Sequence, residues 1–86
     1  MMADSKAPQT LKDAHAIASS TRPLPGSNQA TWLKWHKANA RMYREVSDID
    51  RWHHHELRYW VGYEESKAEE VAAQIQARKA ESVDVA

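Results

Sequence analysis

Eighty-six residues allow one small domain, and a chain of this length buries only part of its surface. With 12 basic and 12 acidic residues the formal charge is zero, which argues against a globally basic nucleic-acid binder. Cys is absent, which excludes disulfides and thiolate metal sites and leaves oligomerisation as the common staple for so small a core.

No apolar run approaches the ~20 residues that a membrane-spanning helix needs. Residues 1–9 are polar, small and Pro-containing, without an apolar signal core, and are expected to be disordered. The default setting is therefore a soluble cytoplasmic protein with no membrane partner. Phe is absent and the aromatics cluster between residues 32 and 63, so the core must rest on Trp, Tyr and Ala.

A single helical domain is expected over residues 10–80. Thr10 followed three residues later by Asp13 is a capping pattern, and Leu11, Ala14 and Ala18 sit at helical spacing. These predict a short first helix over about residues 11–19. Pro23, Pro25 and Gly26 then break the chain. A second helix is expected over about 29–46. Trp32, Trp35, Asn39, Met42, Val46 and Ile49 recur at alternating steps of three and four, a seam with one polar member that could fix register. Tyr43 and His36 flank it.

Ser47, Asp48 and Asp50 supply possible helix caps in a row: Asp50, or Ser47 with Asp50 as its box partner, would start a third helix over about 51–79, with one continuous helix as the rival. His53, Leu57, Trp60, Glu64, Ala68, Val71 and Ile75 fall on one face of that helix. A second stripe of Trp52, Tyr59 and Tyr63 lies roughly 100° around it. Residues 81–86 are expected to fray. The predicted fold is all-α: a long antiparallel helical hairpin, with the short N-terminal helix packed against its open end. In that register Trp35 faces Gly62, His36 lies near Trp60 or Val61, and the third helix overhangs the second beyond about Ala68.

Three site readings follow. The run His53-His54-His55-Glu56 suggests metal, but consecutive helical residues point about 100° apart and cannot converge on one ion. Only His53 with Glu56 has ligand spacing, and a complete site would need a dimer that joins two such pairs. The bland reading makes His53 a partly buried capping or core residue on the seam and leaves His54 and His55 in solvent. Glu64 faces the seam and needs a hydrogen-bond partner. The indole N–H of Trp32 or Trp35, or a Lys near the edge, is expected to supply it; the rival reading, a general acid or base, lacks a nucleophile or second carboxylate beside it. Lys34, Lys37, Arg41 and Arg44 form a basic stripe. Nucleic-acid contact is its sharp reading, and a solvated helix face opposite acidic Glu64, Glu65, Glu69 and Glu70 its bland one.

Trp52, Tyr59 and Tyr63 lie off the hairpin seam, with Arg58 beside them. Exposed aromatic patches mark interfaces. These residues, with Val71 and Ile75 on the overhang, are the candidate contact surface. The function expected first is a non-catalytic protein-interaction module, a regulatory accessory protein or adaptor, acting as a homodimer and with a further protein partner. A metal-binding dimer and a nucleic-acid binder rank behind it. No cofactor and no enzymatic activity are expected.

The strings T-L-K-D-A-H at 10–15, Y-R-E-V-S-D-I-D-R-W-H-H-H-E at 43–56 and Y-W at 59–60 resemble a family of short uncharacterised actinobacterial proteins with an I-D-R-x-H-H-H-E core. The likeness covers about residues 10 to 79. Trp52 and Leu57 stand where that family has smaller or polar residues. The resemblance implies an actinobacterial source and an intracellular setting, and carries no activity with it.

Overall fold

The structure is a computed structural model that describes residues 7–84. It contains three α-helices: α1 (Leu11–Ser20), α2 (Gln29–Ser47) and α3 (His54–Asp84). A single 3-10 turn, Arg51–His53, precedes α3. α2 and α3 form the antiparallel hairpin, and α1 packs against it. The molecule measures 53 × 32 × 16 Å. Among the described residues, no helix is long and apolar enough to cross a membrane.

Each start has a local cause. Thr10 accepts a hydrogen bond from the Asp13 N–H at 3.1 Å, satisfying one of the unpaired donors at the first turn of α1. Asn28 does the same for α2 through the Thr31 N–H at 2.9 Å. The Gln9 N–H reaches the Asp13 carboxylate. Gln9 thus has a fixed partner, against the disorder expected for residues 1–9; for residues 1–6 that expectation lies outside the described residues. At the other end α3 continues to Asp84, past the expected end near Lys79 and through residues expected to fray. Residues 85–86 lie outside the described residues.

The core joins Leu11, Ala14 and Ala18 of α1, Tyr43 and Val46 of α2, and Leu57 and Val61 of α3. Trp35, Met42 and Trp60 pack on it from its margins. α1 thus covers the corner half of the hairpin, not the open end. The Leu11 N–H donates to the Asp50 carboxylate at 3.0 Å, which pins the start of α1 to the corner. Asp50 makes no side-chain cap on the turn that follows it. Its carboxylate caps α1 instead, across the fold.

The corner also resets the register. The chain needs Asp48 to His53 to turn, so Ile49 leaves the seam and is half exposed. Glu64, not Trp60 or Val61, stands beside His36. Gln29 at the start of α2 reaches Gln74 and Arg78. The second helix therefore extends well beyond Ala68, and the overhang is shorter than expected. Val71 and Ile75 are half-buried beside α2.

Candidate functional site

Two polar pairs link the helices inside the hairpin. His36 Nδ1 donates to Glu64 Oε1 at 2.6 Å, and Glu64 is only 5 % exposed. A carboxylate so deeply placed needs such a donor, because burying a charge without one costs more than burying a neutral polar group. The donor is His36, not an indole. The Trp35 indole N–H goes to the Ala18 carbonyl and the Thr21 hydroxyl, both at 3.2 Å, and so ties α2 to the end of α1.

The second pair is His15 Nδ1 with the Tyr43 hydroxyl, at 2.9 Å. Tyr43 is 2 % exposed, the largest side chain of the buried core. Burial, and secondarily the nearby Glu64 charge, push its pKa from 10.0 to about 12. Trp60 stacks on Tyr43 at 6.1 Å and meets the His15 ring edge-on at 5.1 Å. Three helices thus meet on one aromatic stack.

Asn39 is 3 % exposed, and its Nδ2 has no hydrogen-bond partner among the described residues. Such a group costs stability without giving a contact in return. It lies beside Trp35 and Met42 on an apolar groove.

The histidine run is used differently from its expected roles. His53 is exposed, belongs to the 3-10 turn, and donates from Nδ1 to Asp50 at 2.8 Å. It does not face the seam. Leu11 and His53 together hold Asp50 below the ordinary carboxylate range, the backbone N–H of Leu11 having the larger effect. His54, expected in solvent, is half-buried and donates to the Ser47 carbonyl at 2.9 Å, closing the end of α2. His55 and Glu56 are exposed. Among the described residues, no group of three or more His, Asp or Glu is placed to hold a metal ion.

The basic stripe of Lys34, Lys37, Arg41 and Arg44 is exposed throughout. Arg44 pairs with Glu65 of α3, and Lys37, Arg41 and Arg44 share a groove with Glu65 and Glu69. The acidic complement expected from the sequence lies on the same chain.

The aromatic candidates divide in two. Tyr59 and Tyr63, 62 % and 40 % exposed, flank Trp60 edge-to-face at 5.3 and 5.4 Å. They are the outer layer of the aromatic stack. Trp52 is 90 % exposed and projects from the 3-10 turn, not from α3. Arg58 is exposed beside Tyr59. The importance of Tyr43 and His36 was missed at the level of sequence. Both lie one position off the assigned seam, on a second stripe, His36, Asn39, Tyr43 and Val46, that has the same spacing. Comparison with protein-family models, with curated proteins and with solved structures found no match.

Proposed function

We propose that the protein is a non-catalytic helical interaction module that pairs with a second copy and with a further protein partner. The observation that carries this reading is the exposure of three large rings, Tyr59 and Tyr63 one turn apart on α3 and Trp52 on the 3-10 turn before it. Fully exposed indole is costly in water, and rings of this kind dominate binding energy when an interface covers them. Tyr59 and Tyr63 are already braced by Trp60 on one side. Little further ordering is needed when a partner meets their outer faces, which favours binding. Arg58 adds a fork-shaped donor at the edge of the patch. Buried Glu64 and Tyr43 are each held by a histidine from another helix, which suits a scaffold.

An actinobacterial source and a cytoplasmic setting rest on the resemblance of the I-D-R-W-H-H-H-E core alone. The proposal is tested by affinity capture from the cell that encodes the chain, using wild type beside a Trp52→Ala, Tyr59→Ala variant. The expected result is one or more proteins retained by wild type and lost by the variant, with both chains equally folded. An identical captured set for the two would contradict the role assigned to this face.

A further inference from the structure

A cleft of roughly 610 Å³ opens between α1, α2 and α3, on the side where Trp32, Trp35, Trp60 and Tyr63 converge. That volume falls within the ~300–1,000 Å³ of small-molecule sites. We infer that this cleft binds a planar aromatic acid, with its ring between the indoles and its carboxylate on Arg22.

The floor is built and rigid. Tyr43 and Glu64 are buried there, each held by a histidine from another helix. The walls are aromatic. Trp32 and Trp35 meet edge-to-face at 5.6 Å, the His36 ring lies 5.0 Å from Trp35, and Trp60 also lines the cleft, stacked on Tyr43. Aromatic faces and edges fixed in this way accept a flat ring in stacked or edge-to-face contact.

The charges lining the cleft select the sign of the ligand. Glu64 is held by His36, and Glu70 is paired with Lys67 at 3.6 Å. Of the Arg and Lys side chains lining the cleft, Arg22 is the one with no carboxylate partner among the described residues. Its guanidinium lies over Trp32 at 5.6 Å and over Trp35 at 6.0 Å, exposed on the rim. A guanidinium held against indole faces presents its N–H fork outward, and that fork matches a carboxylate in bidentate geometry. Glu64 lies at the floor, so the ligand's charge belongs at the Arg22 end of the cleft.

The test is a titration of the ¹⁵N-labelled full chain with naphthalene-2-carboxylate, following the indole N–H signals by NMR. Signals of Trp32 and Trp60 are expected to shift to saturation together while that of Trp52, outside the cleft, stays in place. Arg22→Gln, which leaves the fold spectrum unchanged, should weaken binding about tenfold, and the neutral naphthalene-2-carboxamide should bind the wild type about tenfold more weakly than the acid. Shifts that never saturate, a shift confined to Trp52, or equal binding by Arg22→Gln or by the carboxamide would each overturn the inference.

Discussion

The two ends of the hairpin use the same pair of helices and reach different outcomes. At the corner end α1 lies across both, and Leu11, Tyr43, Val46, Leu57 and Val61 are buried together. At the open end α2 and α3 meet alone. Among the described side chains Ala68 is the last buried position, Val71 and Ile75 are half-buried, and every residue from Gln76 to Glu81 is exposed. Two helices cannot enclose a side chain from all directions, and a third can. Stability should therefore be concentrated where α1 packs, and the open end should behave as a weakly held extension.

Leu57→Ala should break this arrangement hardest. The side chain is fully buried, so its loss is expected to cost about 2–5 kcal/mol in a urea unfolding curve. Ile75→Ala, at the open end, should cost well under about 1 kcal/mol. Equal losses at the two positions would mean that the open end is covered by something beyond one chain.

Tyr43 gives the next largest effect. Its phenol is neutral in the fold, and its pKa there is about 12 against 10.0 in the unfolded chain. The unfolded state thus releases this proton first as pH rises. The stability contributed by the neutral phenol is complete below pH 10.0 and is lost as pH approaches 12. Chemical denaturation across that range should show the decline, and Tyr43→Phe should reduce it. At neutral pH the same variant loses the His15 bond, at a cost of about 1 kcal/mol.

Asp50 works in the opposite direction at the acid end. Its folded pKa lies below the ordinary 3.8, so the contribution is present above that value and lost as pH falls through the lowered pKa. Asp50→Asn should flatten the acid limb of a melting-temperature profile and detach the start of α1, seen as faster amide exchange at Leu11. The smallest change expected is Asn39→Leu. Removing a buried donor that has no partner should be neutral or stabilising by about 1 kcal/mol. A loss of stability instead would show that the amide holds the register.

The helices themselves were legible because apolar periodicity and capping residues are local. Thr10, Asn28 and the spacing of Leu57, Val61 and Glu64 are visible without any tertiary knowledge. Register was not. It depends on a 3-10 turn at Arg51–His53 that no Gly or Pro marks, and on an Asp50 carboxylate spent on a helix 39 residues away in sequence. Glu64 was recognisable as a carboxylate on an apolar face, but its partner was not. Asn39 and Val46 belong equally to a stripe through Trp35 and Met42 and to one through His36 and Tyr43. Hydrophobicity favours the first stripe, while the folded chain buries Tyr43 because its hydroxyl finds His15. Amphipathic side chains defeat a pattern drawn from polarity alone. Trp52 shows the converse. A large apolar residue read as part of a helical stripe instead stands alone on a turn.

The exposed rings of Trp52, Tyr59 and Tyr63 are proposed to form a contact surface between copies. Sedimentation equilibrium of wild type beside the Trp52→Ala, Tyr59→Ala variant tests it most directly. The apparent mass of wild type should rise with concentration toward twice 9.9 kDa. Loss of the two rings should weaken that association by about 2 kcal/mol or more, with thermal unfolding of the monomer unchanged. A wild-type chain that stays at 9.9 kDa at every concentration, or a variant that associates equally well, would contradict it.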